Sequence, residues 1–399
     1  MESTFVILFS IASLVAIAAR RARIPYTIAL VIVGLVVGAF DLLEAPHLTK
    51  ELLFAVFLPG LIFEAAYNIH ASELRASWRT IAALAGPGVV VAIALTAAII
   101  TGAFNGLGIA PGLSWQYIMA FAALVVATDP IAVVSMFRQM GMSPRLTTLV
   151  EAESLFNDGT SIVVLSLVLA YVMGSSSSIV ALSLEFFGVV GGGALIGTLL
   201  GFGLARVSKR LDDPMVEITL TMIAAYGSFV MAERMHLSGV IATVCAGLVL
   251  GTYGREVAMS ELTRNSVDVF WEYVAFALNS VVFLLIGFQV RPAALLESAA
   301  PITIAFCAVV LARLCVVFIV TLLLRSTTER ISNAWAGIVT WGGLRGALSM
   351  VLALALPEDF PHRSLLIDMT FGVVLLSLLL QGLTMQGVTG WLADRKEAA

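Results

Sequence analysis

A few polar residues interrupt an otherwise apolar chain, and their types suit cation and proton handling better than covalent catalysis. Asp158 follows Asn157 in Glu151-Ala-Glu-Ser-Leu-Phe-Asn-Asp158, and Asp129 stands between Thr128 and Pro130. Glu64 lies in Leu61-Ile-Phe-Glu-Ala-Ala-Tyr-Asn68, and Arg345 lies in Trp341-Gly-Gly-Leu-Arg-Gly346. Carboxylates combined with hydroxyl and main-chain oxygens are the ligands of a small hard cation. No nucleophile triad, HExxH pattern or Cys/His metal set is present, so the chain does not read as an enzyme and no cofactor is expected. His47, His70, His236 and His362 all fall near the ends of apolar runs, where solvated interfacial histidines are ordinary.

Pro130 lacks a backbone donor and disfavours helical geometry at Asp129, so the helix must break or kink there. An opened turn at membrane depth frees carbonyls and is tolerated only where it lines a cavity or finds partners. Thr128 and Asp129 then offer a loose main-chain oxygen beside a carboxylate. Asp129 can also cap the second half-helix, and the two roles are compatible.

In the Glu151–Asp158 segment, Ser154 and Asp158 are four apart and share a helix face, while Glu153 and Asn157 form the neighbouring i, i+4 pair. Asp158 and Ser154 are assigned to the ion, Glu153 and Asn157 to structure. Asn157 carries both donor and acceptor groups and can satisfy the broken backbone of an adjacent helix. Glu151 reads equally well as a solvated residue before the buried stretch. Glu64 either completes the cation shell, serves as an accessory proton site, or faces a water-filled funnel without binding.

Arg345 needs a partner, because an unpaired buried guanidinium is prohibitive. Glu153 is the expected carboxylate, since the others are better left free for cation or proton. Arg313 also lies inside an apolar run, and the sequence does not show what it meets. Asn68, Glu272, Asn279 and Gln289 read as hydrogen-bonding glue between helices.

These residues must be held by membrane helices. Of 399 residues, 60% are hydrophobic and 12% charged, with a mean hydropathy of +1.02, where soluble domains carry about 25% charge. A charged group at mid-membrane costs about 2.5–3.5 kcal/mol on insertion scales, so each one marks a protein-facing or water-lined position. Counting stretches near the ~20 residues needed to span gives thirteen. They are 4–19, 26–40, 51–69, 79–103, 114–137, 146–173, 183–205, 215–232, 238–253, 266–289, 299–324, 333–356 and 365–392. The first lacks the basic flank and cleavage site of a signal peptide. Cys245, Cys307 and Cys315 lie in apolar runs and read as buried hydrophobes. Glycines 191–193, 197 and 201 lie within a span and favour close helix packing.

Alternate connections hold Arg20, Arg21, Arg23, Arg75, Arg79, Arg138, Arg145, Arg206, Lys209, Arg210, Arg255, Arg264, Arg325, Arg330, Arg395 and Lys396. The opposite ones hold only Lys50, Arg234, Arg291 and Arg363. Basic residues remain cytoplasmic, so the N-terminus is expected outside and the C-terminus inside. A net charge of -4 says little about partners in such a chain, and no nucleic acid is expected. With thirteen spans the fifth and twelfth run in opposite directions, as in an inverted-repeat transporter. Both carry helix breakers at mid-depth.

Thr128-Asp-Pro130, Glu153-Ser-Leu-Phe-Asn-Asp158-Gly, Phe63-Glu64, Gly343-Leu-Arg-Gly-Ala347, Ile24-Pro-Tyr-Thr27 and Leu285-Ile-Gly287 resemble, in order and over the full length, the cation/proton antiporter family in its NhaP and NHE branch. The resemblance implies an all-α polytopic membrane protein with the inverted-repeat NhaA/NhaP-like fold and unwound crossing helices five and twelve. It implies a cation site on Asp158, Asp129, Glu64, Ser154 and the Thr128 carbonyl, a structural Glu153–Arg345 pair, and Asn157 as a tether for the unwound chain near Thr128. It further implies a homodimer in the cell (inner) membrane, with residues 79–173 and 299–392 as mobile core and 1–78 and 183–298 as dimerisation scaffold. The transported species are Na⁺, with Li⁺ also expected, and H⁺. The Asn-Asp pair resembles the electroneutral branch and implies 1:1 exchange, with protonation and cation binding competing at Asp158. K⁺/H⁺ exchange is the alternative, and an uncoupled channel or sensor on the same scaffold is a more distant one. The absence of a long tail after Lys396 suggests a compact prokaryotic transporter.

Overall fold

A computed structural model describes residues 2–22, 24–40, 52–110, 112–174 and 178–397. Arg23 and Lys50 of the charge distribution lie outside them. Among the described residues the chain is helical with no strand, as backbone in hydrocarbon must be when each segment satisfies its own polar groups. Apart from two short helices on connections (Ala71–Ala76 and Pro292–Glu297), the elements are α1 Glu2–Ala22, α2 Tyr26–Ala39, α3 Phe54–Asn68, α4 Trp78–Leu107, α5 Trp115–Leu124, α6 Ile131–Gln139 and α7 Pro144–Val172. They continue with α8 Val180–Ser208, α9 Pro214–Arg234, α10 Gly239–Ala258, α11 Glu261–Gln289, α12 Ala299–Leu323, α13 Asn333–Trp341, α14 Ala347–Leu354 and α15 Arg363–Leu392. Eight of these helices are continuous, long and apolar enough to cross a membrane.

Helix starts follow local chemistry. Pro214 begins α9, and the Asp213 carboxylate accepts from the Met215 and Val216 amides, satisfying donors that have no intrahelical partner. Ser332 does the same for α13 through the Trp335 amide.

The expected breaks are both present. Helical structure stops after Leu124 and resumes at Ile131, and it stops after Trp341 and resumes at Ala347. Each apolar span is therefore two half-helices joined by extended chain. The α5 and α7 side chains Phe121, Leu124, Leu149 and Leu155 share one hydrophobic core with Val309, Val339 and Leu352 of α12–α14. A second core gathers Phe63 and Tyr67 of α3 around Trp271 of α11, with Phe63 and Trp271 ring centroids 4.7 Å apart. The glycine-rich run of α8 packs on α10 so closely that a methyl at Gly197 would overlap the Ala242 carbonyl.

Candidate functional site

The two broken segments cross. The Asp129 amide donates to the Leu344 carbonyl at 2.7 Å. A methyl group on Gly346 would overlap the Asp129 side chain, so glycine at this position permits the close approach. Both strands of the crossing leave unpaired backbone groups, and three neighbouring helices supply side chains to them.

From α7, the Asn157 amide nitrogen donates to the Val126 carbonyl and to Thr128 Oγ1, each at 3.1 Å. Thr128 Oγ1 in turn donates to Ser154 Oγ at 3.0 Å. From α15, Ser377 Oγ accepts from the Arg345 amide at 3.0 Å and donates to Gln381, whose amide holds the Trp341 carbonyl at 3.1 Å. The Arg345 guanidinium crosses to the first break and donates to the Val126 and Ala127 carbonyls, the latter at 3.2 Å. Irregular backbone at this depth is tolerated where its carbonyls find partners, as those of Val126, Ala127, Trp341 and Leu344 do.

Arg345 does not form the expected pair with Glu153. Arg313 of α12 takes that carboxylate, with Nη1 to Oε1 at 3.2 Å and Nη2 to Oε2 at 2.9 Å. Arg313 also donates to the Val339 carbonyl at 3.2 and 3.1 Å. It passes directly over Gly343, where any Cβ would collide with the guanidinium. A buried guanidinium need not meet a carboxylate. Freed carbonyls serve as well, and they are what Arg345 finds.

Asp158, Asp129 and Thr128 together line a cavity of about 90 Å³ at the crossing. Asn279 of α11 and Ser349 of α14 add polar groups, and Phe57, Leu61, Ile62 and Phe283 supply apolar wall. The Thr128 amide is turned to the Asp158 carboxylate, whose Oδ1 is buried without a hydrogen-bond partner. One Asp129 oxygen accepts from the Ile131 amide at 3.0 Å and caps α6. Among the described residues neither aspartate has an arginine or lysine within ion-pair distance. Two unpaired carboxylates therefore share one cavity, with the N-termini of α6 and α14 alongside offsetting part of their charge.

The other expected residues are placed differently. Ser154 lies behind Thr128 and reaches the cavity only through that hydroxyl. Glu64 is flanked by lining residues Leu61 and Ala65, but its carboxylate accepts from Asn68 at 2.7 Å and is not part of the lining. Glu151, one turn before Ser154 on α7, pairs with Arg138 at the end of α6 at 3.6 Å. Sequence reasoning missed Ser349, a small hydroxyl in an apolar run. It gave Asn279 to helix packing, yet Asn279 Oδ1 and Ser349 Oγ are both buried and unpartnered at the cavity.

Residues 7–391 match the family model described as sodium/hydrogen exchanger, transmembrane. The chain belongs to this exchanger family. It is 40% identical over 378 residues to the low-affinity Na⁺/H⁺ antiporter NhaS1 of Synechocystis, covering 92% of this chain and 69% of that one. It is 37% identical to the Na⁺/H⁺ antiporter NhaP of Pseudomonas aeruginosa, covering 84% and 80%. The fold matches that of the sodium proton antiporter MjNhaP1 of Methanocaldococcus jannaschii at pH 8, with a TM-score of 0.76, 21% identity and coverage of 95% and 98%. As in that family fold, this exchanger-family chain is a multi-pass, all-helical membrane protein, and its inverted pair of broken helices is the feature on which the candidate site is built.

Proposed function

We propose that the protein exchanges a monovalent cation, Na⁺ first, for a proton across the cell (inner) membrane. The observation that carries this reading is the pair of unpaired carboxylates, Asp158 and Asp129, in one cavity where two broken helices cross. Deprotonated Asp158 binds the cation with help from Asp129 and the Thr128 main chain. Protonated Asp158 does not bind it. The half-helix N-termini hold the empty, ionised state only in part, so the charge is compensated fully by a cation or a proton and the core moves in either of those states. Ser154 and Asn157 act behind Thr128 by fixing the break, and Glu153 and Arg345 belong to the supporting network. Glu64 enters the cation shell only if it exchanges Asn68 for the ion.

In this reading thirteen spans run from an external N-terminus to a cytoplasmic C-terminus. Residues 79–173 and 299–392 move as a core against a scaffold of 1–78 and 183–298, through which two copies form a homodimer. Asn157, being neutral and occupied with Val126 and Thr128, leaves Asp158 as the α7 carboxylate that lines the cavity, while Glu151 and Glu153 are paired with arginines, which favours electroneutral exchange. The named relatives favour Na⁺ over K⁺. Proteoliposomes holding a pH dye test the reading on addition of Na⁺, Li⁺ or K⁺, with and without a voltage clamp. Na⁺ and Li⁺ should drive proton movement at a rate the clamp does not change. A conductance without coupled proton movement, or a response to K⁺ alone, would contradict it.

A further inference from the structure

A second cavity, of about 600 Å³, shares no lining residue with the aspartate cavity and lies where α7 begins, α12 ends and α13 begins. Three arginines line it: Arg145 on the first turn of α7, and Arg325 and Arg330 on the α12–α13 connection. No carboxylate comes within ion-pair distance of any of them among the described residues. Glu329, adjacent to Arg330, is turned away to the start of α4, where it accepts from the Arg79 amide at 2.9 Å and the Thr80 amide at 3.3 Å.

Arg145 is held in place by Ser77 Oγ at 3.1 Å, the Ala76 carbonyl at 3.4 Å and the Trp335 ring, whose centroid is 5.7 Å from the guanidinium carbon. The part of the lining contributed by α12 is largely apolar. Phe318 and Leu322 of α12 are 61% and 58% exposed, on a helix surface apolar enough to face lipid. One side of the cavity thus matches a phosphate and the adjoining side matches an acyl chain.

We propose that this cavity binds the phosphate of an anionic phospholipid, with the headgroup among Arg145, Arg325 and Arg330 and the acyl chains along Phe318 and Leu322. Guanidiniums at a membrane interface attract anionic headgroups and present planar donor pairs to phosphate. A free phosphate ion would use the arginines but gain nothing from the apolar wall, and that difference separates the two sources.

The test uses the full chain in detergent, with dioleoyl phosphatidylglycerol, dioleoyl phosphatidylcholine or sodium phosphate added. Thermal melting and lipid retention in native mass spectrometry are the readouts. Phosphatidylglycerol should raise the melting temperature and be retained, and phosphatidylcholine and sodium phosphate should not match it. Each arginine removed should weaken retention roughly fivefold, so R325Q/R330Q should lose most of the effect. The control K209Q/R210Q, which removes the same charge from exposed positions outside the cavity, should keep it. An equal response to sodium phosphate would overturn the lipid assignment. An undiminished phosphatidylglycerol response in R325Q/R330Q, an equal loss in K209Q/R210Q, or no preference over phosphatidylcholine would overturn the site.

Discussion

Arg313 grips both oxygens of Glu153, at 3.2 and 2.9 Å, in a pair whose side chains are 10% and 2% exposed. This bidentate bridge ties α12 to α7 beneath the crossing and leaves Asp158, five residues along α7, without a cationic partner. A buried pair contributes little net stability against an apolar replacement. Removing one partner, however, strands a charge at a cost of about 3–5 kcal/mol. Arg313→Ala or Glu153→Gln should therefore sharply lower folded yield and melting temperature in detergent, measured by fluorescence-detected size exclusion. Arg313→Met/Glu153→Leu should recover part of the loss. Normal stability in either single variant would show that the pair does not hold these helices together.

Asn157→Ala removes the donor to Val126 and Thr128 and leaves a buried carbonyl served by Arg345 alone. An unmet buried partner costs roughly 1–3 kcal/mol. Transport should fall further than stability, since loosening Val126 and the Thr128 side chain lets the Thr128 main chain shift, and that main chain is part of the proposed cation shell. Initial rates in proteoliposomes, set beside melting temperatures, check this. Equal wild-type rates would remove Asn157 from the account.

Gly343→Ala places a methyl in the path of the Arg313 guanidinium, and Gly346→Ala places one on Asp129. Overpacking costs typically about 1–3 kcal/mol, so both variants should fold poorly or melt early. The surviving Gly346→Ala protein should lose transport, because Asp129 cannot remain at the crossing. Wild-type Na⁺ exchange in Gly346→Ala would contradict that placement.

Competition at one carboxylate sets the sign of the pH dependence. Protonation removes the cation-binding form, so acidification should raise the Na⁺ concentration for half-maximal rate without changing the saturated rate of binding-limited turnover. On the acid side of the site's titration the rise should reach about tenfold per pH unit for a single proton. A slope near two would mean that Asp129 is protonated along with Asp158. No dependence would separate the proton from the cation site.

What the sequence reveals and what it hides follow from the range of the interactions. The break at Asp129-Pro130 is local chemistry, visible because proline has no amide hydrogen and constrains its predecessor. The tether from Asn157 is readable for a similar reason, since the amide hydrogens of a buried asparagine need acceptors and a broken neighbouring helix offers them, as Val126 and Thr128 do here. The partner of Glu153 is not local. Arg313 and Arg345 are both buried arginines in apolar runs, and only the path of α12 over Gly343 decides between them. Ser349 carries no signal of its own, because a serine three residues after Gly346 could as well hydrogen-bond its own helix. The cavity that gives it meaning is completed by Asp129, Asp158 and the walls of α3 and α11, all remote from it in sequence.

The central claim is that Asp158 itself carries cation and proton in alternation. Purified Asp158→Asn in proteoliposomes, shown to be monodisperse and to melt near the wild-type temperature, tests it most directly by proton movement on addition of Na⁺. The variant should show none above protein-free liposomes. Sustained Na⁺-dependent proton movement in Asp158→Asn would contradict the account.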